Sequence, residues 1–202
     1  MLSMLILGRA QTGIQAFFEQ RGTPSRPPPP LAGEGGEGEA AGASAANIMR
    51  IIDGDFGDPQ VLALLRFHLT HARAQTAPGS DHALDVAGLQ APDISFWTIW
   101  QDDALVGCGA LKRLTAAHGE VKSMHTAQSA RRTGVGSAML HHIIAAARAS
   151  GMSRLSLETG SWDYFVPARA LYTRHGFVEC GPFGDYVLDP NSVFMTRDLR
   201  GA

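Results

Sequence analysis

The chain has only two cysteines among its 202 residues, Cys108 and Cys180, and they lie far apart in sequence. Two thiols are too few to form the disulfide framework of a chain this long. We therefore expect both to be reduced and buried, as free cysteines commonly are. This low cysteine content favours a reducing compartment, and we expect a cytoplasmic protein.

Long hydrophobic runs and an excess of basic charge are also missing. No stretch approaches the ~18 apolar residues of a membrane span, and the apolar start of the chain lacks the basic segment of a signal peptide. Lysine and arginine number 17 against 19 aspartates and glutamates, giving a net charge of −2. This balance lacks the basic excess of a dedicated nucleic-acid binder. We expect neither a membrane nor a nucleic-acid partner.

The first 47 residues differ in composition from the rest. Pro27 to Pro30 favour polyproline II, and a Gly/Glu/Ala-rich run follows them. Such a segment buries too little apolar surface to offset the entropy of ordering it. We predict a disordered extension over residues 1–47, apart from a frayed helix near Thr12–Gln20, and a folded domain over residues 48–202. Met49 is a candidate for the true start of translation.

After Met49 the hydrophobic spacing alternates between strand-like and helix-like periods. Antiparallel hairpins come first and a strand–helix–strand crossover follows, which predicts an α+β fold with a mixed sheet and helices on both faces. The predicted strands are Met49–Ile52, Ile94–Trp100, Leu105–Lys112, Glu120–Thr126, Arg154–Glu158, Phe177–Cys180 and Ser192–Leu199. The predicted helices are Asp58–Arg73, a short one near His82–Ala87, Gly134–Ser150 and Pro167–His175.

A basic, glycine-containing loop between a strand and a long helix is the most informative segment. It runs from Arg131 to Ser137 (RRTGVGS). Glycines allow close backbone approach, and free N–H groups at a helix start bind anionic oxygens. The loop does not match GxxxxGK[ST], and Met139 occupies the third glycine position of GxGxxG. ATP and NAD are therefore disfavoured, while phosphate, pyrophosphate and carboxylate remain open.

The histidines of the sequence do not match a metal-binding motif. His68 and His71 are three residues apart on a predicted helix, but no third ligand accompanies them as in HExxH. His141 and His142 point to different faces of their helix. We expect no metal site.

Two motifs in order resemble the GNAT superfamily of N-acetyltransferases. Arg131-x-x-Gly134-x-Gly136 resembles its R/Q-x-x-G-x-G/A pyrophosphate loop. A later helix resembles its A-x-x-LY-x-x-x-GF motif, matched by Ala168, Leu171, Tyr172, Gly176 and Phe177. The resemblance covers about residues 49–200. The segments HGEVKSM, LSLETGS, GPFGDY and DPNSVFM are also similar to a YsnE-like branch of small bacterial acetyltransferases.

This resemblance implies the GNAT fold, a central splayed mixed sheet of six or seven strands flanked by about four helices. It implies acetyl-CoA as co-substrate, an acetyl group passed directly to a small-molecule acceptor such as a primary amine, and edge strands suited to a homodimer. The asparagine usual before the LY helix is missing, and Pro167 lies in that region. The residues implied to bind the cofactor are Met124, His125, Thr126, Arg131, Arg132, Thr133, Gly134, Val135, Gly136 and Ser137.

The resemblance also suggests catalytic roles. Tyr172, the tyrosine of the LY motif, is expected to return a proton to the departing thiolate. The acceptor amine must lose a proton, and two carboxylates are candidates for taking it: Glu158 at the end of its strand and Glu120 at the start of the neighbouring one. Cys108 is expected to be inert, so no covalent enzyme intermediate is required.

The acceptor pocket is expected to come from the variable segments. These are the loop His71–His82, Trp97, Trp162–Phe165 and the loop Phe183–Asn191, with Tyr186 among the apolar wall residues. Two alternatives to a small-molecule enzyme stay open at this stage: a sensor that binds acyl-CoA without turnover, and an N-acetyltransferase that acts on proteins.

Overall fold

A computed structural model describes residues 48–77 and 82–201, which belong to one compact unit. The predictions for residues 1–47, both the disordered extension and the frayed helix near Thr12–Gln20, lie outside the described residues. Residues 78–81 of the expected loop His71–His82 also lie outside them. Within the described ranges, no helix has the length and apolar character needed to span a membrane.

Within residues 48–77 and 82–201, seven strands form one mixed sheet in the order β1-β2-β3-β4-β5-β7-β6. Every neighbouring pair is antiparallel except β4 and β5, which are parallel. This confirms the α+β prediction, because only the crossover through the helix after β4 makes a parallel pair. The strands are β1 (Met49–Asp53), β2 (Ile94–Gln101), β3 (Ala104–Arg113), β4 (His118–Thr126), β5 (Arg154–Gly160), β6 (Val178–Cys180) and β7 (Ser192–Asp198).

Four α-helices of the described part of the chain accompany the sheet: α1 (Pro59–Ala74), α2 (Val86–Leu89), α3 (Val135–Ala149) and α4 (Val166–Arg174). Asp58 caps α1 by accepting from the Gln60 amide at 2.7 Å, with Pro59 in the first turn, as its sequence predicts. The short helix lies later than its predicted place near His82–Ala87. It begins where the Asp85 carboxylate accepts from the Gly88 amide at 2.8 Å.

Two apolar clusters lie on opposite faces of the sheet. On one face α3 and α4 cover β4 and β5, with Met139, Leu140, Ile143 and Leu155 almost fully buried. On the other face α1 and α2 cover the hairpin β2–β3 through a second cluster that includes Val61. Because side chains alternate along a strand, each strand of the central sheet supplies residues to both faces.

The centre of the sheet opens between β4 and β5. Their parallel pairing covers only His118↔Arg154, Gly119↔Leu155 and Glu120↔Ser156. Beyond Glu120, β4 continues to Thr126 while β5 pairs only with β7. A register shift in β4 accompanies the opening, and Ser123 lies there with a φ of 49°. Such a bulge bends a strand away from its neighbour, and the result is the splayed sheet that the resemblance implies.

Candidate active site

The open side of β4 forms a slot between β4 and β5. No strand pairs with residues 121–126 on the β5 side, so backbone donors and acceptors there are available to an extended ligand. Met124 lies on the α3 face, against Gly109, and Thr126 lies beside Gly136 at the start of α3. The three residues expected to pair with an extended ligand, Met124, His125 and Thr126, therefore all lie along this edge.

His125 points to the opposite face, towards α1. Its ring lies 5.1 Å from that of His68 and 5.7 Å from that of Phe67, measured between centroids. Burial lowers the pKa of His125 to about 3, helped by the nearby His68, Arg131 and His71. Its Nε2 atom has no hydrogen-bond partner. The imidazole is therefore neutral, and its contribution to the slot is through its backbone.

The loop from Arg131 to Ser137, called the cradle below, lies at one end of this slot and has the features of a backbone anion site. Gly134 and Arg132 both have left-handed backbone, with φ of 94° and 66°. Gly134 is the N-cap of α3, and no side chain accepts from the amides of the first turn. The Thr133 hydroxyl donates to the Ala130 carbonyl at 2.8 Å and holds the loop. Free amides, a helix start and exposed arginines together suit a pyrophosphate.

Tyr172 reaches the slot from the α4 side. Its side chain is buried in the apolar cluster beneath α3 and α4, with its ring 5.9 Å from that of Phe177. Burial raises the pKa of the Tyr172 hydroxyl well above its ordinary value, and the charge of Glu158 raises it further. The phenol therefore keeps its proton at neutral pH and is able to donate it.

Glu158 reaches the slot from the opposite face, since it alternates along β5 with the core residue Leu157. Ser192 on β7 donates to Glu158 Oε1 at 2.7 Å. Burial raises the pKa of Glu158, and although the Ser192 hydrogen bond opposes this, the net shift is upward. A raised pKa makes this carboxylate a stronger base than an exposed one.

Glu120 lies where the parallel ladder stops, but its environment differs. It is 2% exposed and accepts from the Tyr186 hydroxyl at 2.6 Å. Lys122 lies 3.2 Å from the same carboxylate oxygen and also donates to the Tyr186 hydroxyl at 2.8 Å and to the His82 carbonyl at 3.0 Å. Of the two candidate bases, Glu120 is the one held in a closed ion-pair network, and Glu158 is the one with the freer carboxylate.

Aromatic residues of the segment after β6 cover these groups. Phe183 and Tyr186 lie 5.1 Å apart between ring centroids, and both pack on Phe194 of β7. His82 meets Tyr186 edge-on at 4.9 Å. The structure thus places Tyr186 and Phe183 of the Phe183–Asn191 loop beside Glu120, and their contact with an acceptor stays a prediction.

The other residues expected to line the acceptor pocket fall into two groups. Phe165 packs on Gly160 at the end of β5, and Trp162 Nε1 donates to Asn191 Oδ1 at 3.2 Å, so both lie beyond Glu158 at the rim of the slot. Trp97 lies two strands away from β4 and packs on His142 of α3 at 4.7 Å. The structure does not bring Trp97 to the candidate site.

Sequence reasoning missed Lys122, Ser192 and His118. Lys122 and His118 flank Glu120 at spacings of two, so the alternation of β4 alone places them on the same face. His118 Nε2 donates to the Ser156 hydroxyl at 2.8 Å, and Arg154 donates to its Nδ1 at 3.1 Å. Ser192 could not be found in this way, because it reaches Glu158 only through the pairing of β5 with β7.

Cys108 lies on β3 opposite His125 and is fully buried. Its thiol contacts the Ser123 carbonyl at 3.4 Å. Burial raises the pKa of Cys108 to about 12, so the thiolate needed for nucleophilic attack is absent at neutral pH. Within residues 48–77 and 82–201, no three His, Cys, Asp or Glu side chains are grouped to hold a metal ion.

Comparison with known proteins agrees with this geometry. Residues 63–177 match the family described as Acetyltransferase (GNAT) family. The chain belongs to this family. It is 50% identical over 151 residues to the uncharacterized N-acetyltransferase YsnE of Bacillus subtilis, covering 75% of this chain and 100% of that one. It is 46% identical over 145 residues to the uncharacterized N-acetyltransferase YedL of Escherichia coli, covering 72% and 91%.

Solved structures show the same fold. An acyl-CoA N-acyltransferase structure from Klebsiella pneumoniae matches with a TM-score of 0.62 and 29% identity, over 76% of this chain and 99% of that one. A GNAT family acetyltransferase from Elizabethkingia anophelis with acetyl-CoA bound matches with a TM-score of 0.56 and 16% identity, over 76% and 99%. This GNAT chain is an acetyl-CoA-dependent acyltransferase, and the open edge of β4 and the Arg131–Ser137 cradle fit that co-substrate.

Proposed function

We propose that this acetyltransferase passes the acetyl group of acetyl-CoA directly to the amine of a small molecule. The observation that carries the proposal is the placement of Glu158 and Tyr172. They approach the slot from opposite faces of the sheet, and the charge of Glu158 is felt at the Tyr172 hydroxyl. A base on one side and an acid on the other side of an open slot suit direct transfer.

Charge at the site favours an acceptor that arrives as a cation. Two carboxylates, Glu120 and Glu158, face this region, and Lys122 is the basic side chain that pairs with Glu120. Glu158 forms no ion pair of its own among the described residues, although the charges of His82 and Lys122 act on it from nearby. A protonated amine is attracted to such a carboxylate, which then takes its proton.

The proposed steps use only side chains already placed. Glu158 accepts a proton from the bound ammonium group, which frees the nitrogen lone pair. Acetyl-CoA supplies an activated thioester, and the amine attacks its carbonyl carbon. As the carbon–sulfur bond breaks, Tyr172 donates its proton to the leaving sulfur. The nitrogen, positively charged after the attack, loses its second proton to form the amide, and that proton restores the Tyr172 hydroxyl directly or through solvent. The Tyr172 phenol is available for this role because it is protonated at neutral pH, while its raised pKa makes it a weaker acid than an exposed tyrosine.

An acceptor screen with the full chain tests the proposal. Release of CoA thiol from acetyl-CoA is followed in the presence of a panel of small amines, with matched alcohols and carboxylic acids as controls. We expect turnover with a subset of the amines alone, and an N-acetyl product by mass spectrometry. Turnover of alcohols only, or acetyl-CoA binding with no turnover on any acceptor, contradicts the proposal. The second result favours a sensor.

A second candidate, transfer to a protein or peptide amine, is favoured by one observation. Val187 and Leu188, in the segment that covers the site, are 77% and 83% exposed. Exposed apolar side chains beside a site suit contact with a larger partner. Unstructured peptides with a free N-terminus or a lysine therefore form a separate arm of the screen. A kcat/KM for peptides far above that for all small amines would favour this candidate.

A further inference from the structure

Four basic side chains meet on the surface between α3 and α4. This basic cluster consists of His141 on α3, Arg174 and His175 at the end of α4, and Arg197 on β7. The rings of His141 and His175 lie 4.5 Å apart between centroids. Arg197 Nη1 donates to the His175 carbonyl at 2.6 Å. Elements that are distant in sequence thus place four basic side chains close together.

The cluster adjoins the anion cradle directly. His175 Nε2 lies 3.0 Å from the hydroxyl of Ser137, the last residue of the Arg131–Ser137 loop. Ser137 belongs to the first turn of α3, and His141 lies one turn further along the same helix. A ligand whose pyrophosphate occupies the cradle therefore has this cluster within about one helical turn, ~5.4 Å.

Nothing on these two helices neutralises the cluster. Neither α3 nor α4 contains an aspartate or glutamate. Among residues 48–77 and 82–201, no ion pair joins His141, Arg174 or His175 to a carboxylate. Burial lowers the pKa of His175, and His141, Arg174 and Arg197 lower it further by repulsion. An anion bound here would relieve that repulsion.

We propose that His141, Arg174 and His175 form a second anion site, which binds the phosphate monoester on the 3′ position of the CoA ribose. CoA carries two separate phosphate groups, a pyrophosphate and this 3′-phosphate. The Arg131–Ser137 cradle accounts for the pyrophosphate and leaves the 3′-phosphate to be bound. The basic cluster supplies N–H donors at the adjoining position, with the guanidinium of Arg174 as a permanent cation, and exposed His141 and Arg174 are accessible to the 3′-phosphate. This inference rests on the use of acetyl-CoA.

Calorimetric titration of the full chain with acetyl-CoA and with acetyl-3′-dephospho-CoA tests the proposal. We expect the wild type to bind acetyl-CoA roughly tenfold more tightly, equivalent to about 1.4 kcal/mol. In the double variant His141→Gln/Arg174→Gln this preference should disappear, with the dephospho form bound as before. Arg113→Gln removes an exposed arginine at the end of β3 and is the matched control, which should keep the preference.

Each other outcome overturns the proposal in a distinguishable way. Equal affinity of the wild type for both ligands shows that the 3′-phosphate is not recognised. Equal weakening of both ligands in the double variant shows that the cluster acts on the pyrophosphate or the fold. Absence of binding for both ligands refutes the use of CoA itself. Inorganic phosphate alone, at millimolar concentration, should compete with acetyl-CoA in the wild type and much less in the double variant.

Proton uptake gives a second readout that a merely structural role would not produce. A phosphate dianion beside His175 raises its pKa, so the imidazole takes up a proton on binding. Titrations near pH 6 in two buffers of different ionisation enthalpy measure that uptake. We expect more uptake with acetyl-CoA than with the dephospho form, and a smaller excess in His175→Gln. Equal uptake for the two ligands in the wild type contradicts the proposal.

Discussion

Glu120 and Ser156 form the last pair of the parallel ladder between β4 and β5. Up to this pair the two strands share hydrogen bonds, and beyond it they separate. The proposed acid, the two candidate bases and the Arg131–Ser137 loop are all arranged around the opening that begins here. Five measurements test how that arrangement works.

Tyr172→Phe removes the hydroxyl while keeping the buried ring. We expect kcat to fall about 100-fold, the lower end of what a general acid contributes. The Kd for acetyl-CoA should stay the same, because the ring packs as before. Stopped-flow or steady-state rates together with calorimetry separate the two quantities. An unchanged kcat would show that the thiolate leaves without help from Tyr172.

Glu158→Gln removes the proposed base. We expect kcat/KM for the acceptor to fall at least ~100-fold. Burial raises the pKa of Glu158 above its unfolded value, so its ionised form costs folding free energy, and stability falls as pH rises through that range. The Tm at neutral pH should therefore not fall in Glu158→Gln. A lower Tm with an unchanged kcat/KM would show that Glu158 stabilises the fold and is not the base.

Ser192→Ala changes the same carboxylate without removing it. The Ser192 hydroxyl lowers the pKa of Glu158, so its loss should raise that pKa further. The acid limb of the profile of kcat/KM against pH depends on ionised Glu158 and should move to higher pH. Thr173→Ala, at an exposed position on α4, is the control and should leave the profile in place.

Tyr186→Phe breaks the network around Glu120. Its hydroxyl bonds both Glu120 and Lys122, and an unsatisfied buried partner costs about 1–3 kcal/mol. We expect lower stability by denaturant unfolding and a higher KM for the acceptor, with the Kd for acetyl-CoA retained. Tyr164→Phe, at a residue that is 40% exposed, is the matched control and should change neither quantity.

Gly134→Ala and Gly151→Ala form a matched pair. Both glycines have left-handed backbone, with φ of 94° and 76°, and a Cβ at either would meet nothing within 4 Å. Each substitution should cost about 1–2 kcal/mol of stability through backbone strain alone. Only Gly134→Ala should weaken acetyl-CoA binding, since Gly151 follows the far end of α3. Equal affinities in the two variants would remove Gly134 from the cofactor site.

Much of this protein is determined locally. Asp58 and Pro59 begin α1, the alternating apolar residues of β2 and β3 form a hairpin, and Gly134 opens α3. These features depend on neighbours a few residues apart, so the sequence predicts them within one or two residues. The short α2 was predicted too early, because the Asp85 cap outweighed the apolar pattern that precedes it.

The sequence by itself determined the element order, the anion cradle and the family, since each is encoded in short contiguous patterns. Only the tertiary structure decided which of the two carboxylates, Glu120 or Glu158, is enclosed by an ion pair. Glu120 and Glu158 look alike as residues in neighbouring strands, yet Lys122 and Tyr186 enclose one, and Ser192 donates a hydrogen bond to the other. Those partners come from β4, β7 and a distant loop, up to 66 residues away. The register of the sheet and the packing of that loop bring them together, and no local pattern in the chain encodes either.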